Sequence, residues 1–151
     1  MFRQLFSETV AAIVRPGHPL LRHPEPLTAL TQYPLMLPNK GAVIAPVVSA
    51  YLASLEISDA RPAFENVSLA FGRGVVQRSD TIWFISEGVV RPELNAGTLA
   101  SLSLGDELLG GPVGISMREA SPQALEQRAF LRILIEQTAP GGAGPSGPGP
   151  A

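Results

Sequence analysis

The chain has no cysteine, only two histidines and a single lysine, Lys40. The absence of cysteine excludes disulfide bonds, thiolate nucleophiles and sulfur-ligated metal sites. His18 and His23 lie in a proline-rich turn, and their spacing does not place two imidazoles on one helix face as an i, i+4 pair would. With a net charge of −2, the chain also lacks the broad positive surface that DNA requires. We therefore predict no metal site, and no DNA binding by this chain alone.

Long apolar runs are also missing. No stretch reaches the roughly 18 to 20 apolar residues of a membrane helix. The apolar run at residues 9–14 is too short for a signal peptide, follows Glu8, and has no small-residue cleavage site after it. We therefore predict a cytoplasmic chain without an export signal or a membrane partner.

What is present is a regular alternation of short apolar strands and helical patterns in 151 residues that are 45% hydrophobic. Strands alternating with helices are typical of an α/β fold, which we expect to have a largely parallel sheet. The predicted strands cover residues 9–15, 35–37, 63–67, 81–85, 99–104 and 112–117, and the predicted helices cover residues 44–55, 69–76, 87–95 and 122–139.

The loop Pro38-Asn39-Lys40-Gly41-Ala42 lies between a predicted strand and a predicted helix. Ligands in open α/β sheets bind beyond the carboxyl ends of strands, where helix N-termini favour anions. Lys40 would add a full positive charge and Asn39 a side-chain amide, and together these groups suit one carboxylate of a small organic acid. An ordinary loop with a solvated lysine remains the alternative.

Two further strand-to-helix junctions carry polar side chains. Ser68 could cap the helix that follows it, face the same cleft, or do both. Asn66 could bind a ligand or hold its own turn. The segment at residues 86–88 could be a third part of the cleft or a polar turn without a ligand. Trp83 lies inside an apolar strand and is expected in the core rather than against a ligand.

Catalytic motifs are absent from the sequence. There is no G-x-S-x-G elbow, and neither histidine has a motif partner. The FGRG string at residues 71–74 falls inside a helical pattern, whereas a phosphate-binding glycine loop opens a helix after a strand. We therefore predict no enzyme activity, no catalytic residues and no cofactor.

The string RPGHPL at residues 15–20, followed by LTALTQYPLMLPNKGAV and an amphipathic helix, resembles the second regulatory subdomain of LysR-type transcriptional regulators. The segment FENVSLAFGRGVVQRSDTIWFISEGVV is similar to that family's third strand, helix and central strand. The resemblance covers nearly all of residues 5–139. It implies a periplasmic-binding-protein type II-like regulatory subdomain, namely the second lobe with the hinge strands and C-terminal helix of the first lobe. It places Asn39, Lys40, Gly41 and Ser68 on effector-cleft positions, with Pro38 and Ala42 flanking them.

The resemblance also implies a domain organisation. Residues 1–14 would be a hinge segment from a missing first lobe, residues 15–112 the effector-binding subdomain, and residues 113–139 the return hinge strand and C-terminal helix. Residues 140–151 contain only Pro, Gly, Ala and Ser and are expected to be a disordered tail. The helix after Ser121 would lose the sheet that it normally covers, so its apolar face should promote self-association or disorder.

The strings YPLMLPNKGAVI, LAFGR and RSDTIWFIS resemble the branch of the family that regulates protocatechuate catabolism. That branch implies a carboxymuconate-like effector, a homo-oligomer in the full-length protein, and DNA binding only through a missing N-terminal helix-turn-helix. Two alternatives remain open, because architecture does not fix function. One is a lobe of a solute-binding protein for organic-anion transport, and the other is an unrelated enzyme domain with this α/β order.

Overall fold

The computed structural model describes residues 1–57, 61–66, 68–105, 109–117 and 124–138. Two compact units divide the chain. One consists of Met1–Ser7 with Gly111–Ala151, and the other of Glu8–Gly110. Strand β1 (Phe2–Val14) begins in the first unit and ends in the second.

The larger unit, Glu8–Gly110, contains most of the regular structure. After β1 the chain forms two 3₁₀ helices, Pro19–Arg22 and Pro26–Gln32. The remaining elements are β2 (Leu35–Leu37), α1 (Ala45–Ser54), β3 (Phe64–Glu65), α2 (Leu69–Val76), β4 (Ile82–Ser86), α3 (Glu87–Asn95) and β5 (Ala100–Leu102). These bounds agree with the sequence prediction to within about two residues, except at β1, which begins well before residue 9.

The sheet order in this unit is β3-β2-β4-β1-β5. Strand β2 pairs in parallel with both β3 and β4. Strand β1 pairs antiparallel with β4 and with β5. Four of the five strands described in this unit therefore run in the same direction, as expected, and β1 runs against them. An apolar run indicates that a strand is buried but not the direction in which it runs.

Two apolar cores cover the two faces of this sheet. Side chains alternate across a strand, so Val10, Ala12 and Val14 of β1 enter one core, which also contains Tyr51 of α1. Ala11 and Ile13 enter the other core, together with Met36, Val76, Trp83, Val90 and Leu99. Trp83 is only 2% exposed, which confirms its expected place in the core.

Helix α2 packs very closely on Trp83. A Cβ atom built on Gly72 would lie 2.5 Å from Cζ2 of the Trp83 ring. No side chain larger than hydrogen fits there without movement of the indole. The glycine that weakens α2 as a helix is therefore required for packing.

Both histidines have structural roles in the turn after β1. His18 is buried, its Nδ1 accepts from the amide of Leu20 at 3.1 Å, and its Nε2 lies 3.2 Å from the carbonyl oxygen of Asp80. Because Nδ1 accepts, the proton belongs on Nε2, which donates to that carbonyl. The Asp80 carboxylate also pairs with Arg15 at 2.8 Å. His23 Nδ1 accepts from the amide of Glu25 at 3.1 Å.

The smaller unit contains the first residues of β1, strand β6 (Gly110–Ser116) apart from its first residue, and α4 (Leu125–Thr138). Strand β6 pairs with β1, and the amide of Met117 donates to the carbonyl of Met1 at 3.0 Å. None of the residues of α4 is buried. The predicted cap and first residue of this helix, Ser121 and Pro122, lie outside the described residues, as do Val67 and residues 140–151.

Candidate functional site

Three strand-to-helix junctions lie along the carboxyl edge of the parallel strands. Strands β2 and β3 are in register at Leu37 and Glu65, so the loops that follow them leave the sheet side by side. The amide of Asn66 donates to the carbonyl of Leu37 at 3.1 Å and holds the two loops together. Strand β4 runs parallel on the other side of β2, so its last residue, Ser86, reaches the same edge.

The first junction contains the predicted loop from Pro38 to Ala42. The amide of Ala42 donates to the carbonyl of Asn39 at 2.9 Å, so Lys40 and Gly41 are the two central residues of a β-turn. Lys40 and Gly41 are exposed, whereas the other three loop residues are half-buried.

Fewer free amides remain at this junction than the sequence suggested. The amide of Ala45 donates to the carbonyl of Ala42 at 3.0 Å, and Pro46, in the first turn of α1, has no amide hydrogen. The attraction for an anion therefore depends mainly on the Lys40 ammonium group. Within the described part of the chain, this group makes no ion pair and no side-chain hydrogen bond.

The second junction is held by its own polar side chains. Ser68 is exposed, and its Oγ accepts from the amide of Phe71 at 3.4 Å, which confirms the predicted cap of α2. Asn66 donates from Nδ2 to the carbonyl of Ser68, and its Oδ1 accepts from the amide of Ser68, both at 2.8 Å. Of the two roles considered for Asn66, the structure shows the local one.

At the third junction the first turn of α3 is capped by a residue that is distant in the chain. Ser86 precedes α3 but makes no capping side-chain bond with any described residue. Instead, the amide of Gly88 donates to Oε1 of Glu8 on β1 at 3.1 Å. Glu8 was not predicted from the sequence, because no local pattern connects a residue of β1 with a residue in the first turn of α3.

A cavity of about 540 Å³ lies beside α1 and is lined by Lys40 and Pro38 of the predicted site. Asn39, Gly41, Ala42 and Ser68 are not among its described lining residues. The other described residues of the cavity wall were not predicted as site residues, and they are Leu37, Ala45, Pro46, Val48, Ser49, Leu52, Ile57, Pro62 and Glu65. Two of the six predicted residues therefore line one cavity, and the other four lie along the carboxyl edge of the sheet outside its described lining.

An ion pair fixes the helices behind the second and third junctions. Arg73 of α2 pairs with the Glu93 carboxylate of α3 and also donates to the carbonyl of Val89 at 2.8 Å. The hydrogen bond from Arg73, a backbone hydrogen bond at Glu93 and the charge of Arg73 lower the pKa of the Glu93 carboxyl, although burial opposes them. Helices α2 and α3 are therefore held together most firmly while Glu93 is ionised.

The described residues contain no group of three or more His, Asp or Glu side chains that could hold a metal ion. Among the helices described, none is long and apolar enough to span a bilayer.

A family model described as the LysR substrate binding domain matches residues 2–139. The chain is 37% identical over 136 residues to the HTH-type transcriptional regulator PcaQ of Agrobacterium fabrum, a match that covers 89% of the chain and 44% of PcaQ. It is 27% identical over 117 residues to the uncharacterized HTH-type transcriptional regulator YdcI of Escherichia coli, covering 78% of the chain and 38% of YdcI. The chain thus spans less than half the length of these curated relatives.

Solved regulatory domains share the fold at low sequence identity. The CcmR regulatory domain of Synechocystis PCC6803, in complex with 2-PG, matches with a TM-score of 0.77 and 17% identity, covering 92% of this chain and 67% of that one. The effector binding domain of QuiR, in complex with shikimate, matches with a TM-score of 0.69 and 13% identity, covering 91% and 65%.

Proposed function

Because the chain belongs to the LysR substrate-binding domain family, we propose that it is the effector-sensing part of a LysR-type transcriptional regulator. The proposed effector is a small carboxylate that binds at the carboxyl edge of the sheet. The similarity to PcaQ supports a carboxymuconate-like acid from aromatic catabolism. The observation that carries the proposal is the exposed Lys40 ammonium group, which has no partner among the described residues.

The six predicted residues have different roles in effector binding. Lys40 pairs with one carboxylate, and the Asn39 side-chain amide donates to the same group. Pro38 and Gly41 shape the turn that presents Lys40, and Ala42 anchors it through its bond to the Asn39 carbonyl. The Ser68 hydroxyl caps α2 as an acceptor and has its own proton left to donate to the ligand.

The rest of the regulator is proposed from the length of its relatives. DNA binding belongs to a helix-turn-helix part that this chain does not include, and the full-length protein acts as a homo-oligomer in the cytoplasm. Residues 1–14 and 113–139 serve as hinge segments and return helix around an effector-binding subdomain at residues 15–112. A lobe of a solute-binding protein is the less supported reading, since the similar curated proteins are transcriptional regulators.

The test of the site is Lys40→Ala, with carboxymuconate titrated into the protein by calorimetry. Loss of a charged hydrogen-bond partner costs about 1.5–3 kcal/mol, so we expect the affinity to fall about tenfold to a hundredfold. The melting temperature should hardly change, because the Lys40 side chain is exposed.

Two control variants make this test specific. Lys40→Arg keeps the charge and should retain most of the affinity. Arg22→Ala removes an exposed cation that lies near the opposite edge of the sheet. The turn that contains Arg22 is placed there by the hydrogen bond from His18 to Asp80, just before β4. If Lys40→Ala leaves the affinity for carboxymuconate unaltered, Lys40 is not part of the site.

A further inference from the structure

The sheet register explains why Glu8 meets α3. Strands β1 and β4 are antiparallel, with Val10 opposite Ser86. The same register carried two residues further brings Glu8 opposite Gly88, in the first turn of α3. The bond between the Gly88 amide and Oε1 of Glu8 therefore forms just beyond the pair of Val10 and Ser86.

Gly88 is fitted to this arrangement. A Cβ atom at residue 88 would lie 2.5 Å from Oε1 of Glu8. Because real Cβ atoms do not approach an oxygen that closely, a larger residue here would require the flexible Glu8 side chain to shift its carboxylate.

The three junctions along the edge consequently differ in charge. The α1 junction presents the Lys40 cation, and the α2 junction presents the Ser68 hydroxyl with the Glu65 carboxylate at the end of β3, beside the Lys40 cavity. The α3 junction presents the Glu8 carboxylate, which accepts from the Gly88 amide. Glu8 forms no ion pair with any described residue. Strands β2, β4 and β1 are consecutive in the sheet, so β2, which leads into the Lys40 turn, lies roughly 10 Å from β1, which carries Glu8.

We propose that Glu8 is a specificity-determining residue for the effector, and this inference rests on the function proposed above. Its carboxylate occupies the N-terminus of α3, where a carboxylate of the ligand would otherwise be stabilised. The negative charge disfavours a second ligand carboxylate at this junction and selects the orientation in which the ligand's charge faces Lys40. The end of the effector that reaches α3 is uncharged or donates a hydrogen bond to Glu8.

The variant that tests this role is Glu8→Gln. Glutamine keeps a side-chain oxygen that can accept from the Gly88 amide, so the α3 cap is retained while the charge is removed. The probes are protocatechuate, which has one carboxylate and two hydroxyl groups, and carboxymuconate, which has three carboxylates. Both are titrated into the full chain at neutral pH and low salt, and the measured quantity is the ratio of the two affinities.

We expect Glu8→Gln to raise the affinity for carboxymuconate relative to protocatechuate by about tenfold. Glu87→Gln is the matched control, because it removes one negative charge from the same turn of α3, where Glu87 lies 3.7 Å from Arg91. The control should shift the ratio less than twofold. A structural cap alone would change the melting temperature but not this ratio.

The outcomes separate the two proposals. If the parent chain binds neither probe, the proposed effector function fails and the role of Glu8 fails with it. If the parent binds but Glu8→Gln leaves the ratio unchanged, only the role of Glu8 is overturned. Equal shifts in Glu8→Gln and Glu87→Gln would also overturn it, because general electrostatics would then explain the result.

Discussion

The two ends of strand β1 lie in very different surroundings. Phe2 and Phe6, in the smaller unit, are 54% and 41% exposed, whereas Ile13 and Val14, in the larger unit, are fully buried. The buried end pairs with strands on both sides, β4 and β5, and each face of the sheet is covered by an apolar core. Burial of an apolar side chain in this chain depends on which elements cover it and not on how apolar it is.

Helices α1 and α4 repeat the same contrast. Both were predicted from an apolar face with helical spacing, and both form. Helix α1 buries Ala45, Val48, Tyr51 and Leu52, but no residue of α4 is buried. Phe130 and Ile133 of α4 are exposed by more than half. An amphipathic pattern therefore predicts a helix and its apolar face but not whether that face is covered.

The largest expected effect comes from one substitution made in both units. Phe84→Ala removes a fully buried ring from β4 and should lower the free energy of unfolding by about 3–5 kcal/mol. Phe130→Ala removes a ring that is 63% exposed and should change it by about 0.5 kcal/mol or less. Urea denaturation followed by circular dichroism measures both values, and equal losses would abolish the contrast between the units.

A pair of glycines in α2 tests close packing at a finer scale. Gly72→Ala places a Cβ against the Trp83 ring and should destabilise the protein by about 1–3 kcal/mol. Gly74→Ala, two residues on, would meet nothing nearer than Nη1 of Arg78 at 3.8 Å and should stabilise it by about 0.5–1 kcal/mol. Opposite shifts of the melting temperature are expected, and shifts of the same sign would contradict the packing argument.

The smallest expected effect concerns pH. Since the pKa of Glu93 is lowered from 4.5 in the folded chain, its stabilising contribution is complete above that value and is lost as the pH falls through the lower folded value. Parent and Glu93→Gln should therefore differ in urea midpoint at pH 7 and converge as the solution is acidified.

The matched control for this pH experiment lies in the smaller unit. Glu136→Gln breaks an exposed pair with Arg132 on α4 and should shift the midpoint little at any pH. A constant difference between parent and Glu93→Gln down to about pH 2 would contradict the assigned role of Glu93.

Much of the fold could be read from the sequence because its signals are local. The likeness to LysR regulatory domains confirms the predicted α/β, periplasmic-binding-protein type II-like fold, and the family match confirms a regulatory rather than catalytic domain. Helix α3 has the predicted bounds, and the predicted cap at Ser68 is present. The direction of β1 and its first residues were missed, because strand direction and pairing with β6 depend on partners distant in the chain.

The candidate site was predictable only in part, for the same reason. Loops at the ends of β2 and β3 could be placed at one edge because parallel strands align their ends. The backbone amides of Ala42 and Ala45 are occupied by turn hydrogen bonds, and these bonds follow from backbone geometry that residue types do not specify. The contact of Glu8 with α3 could not be predicted, because it depends on the register between β1 and β4, which no local pattern in the sequence encodes.

Hydrogen exchange along strand β1 should also show which parts of the molecule open locally. Amide hydrogen exchange reads local opening residue by residue, and one strand here samples two surroundings. Amides at residues 11–14 should exchange only through the rarest openings, whereas those at residues 2–7 should exchange much sooner. A single continuous element can thus record two separate opening equilibria in one experiment.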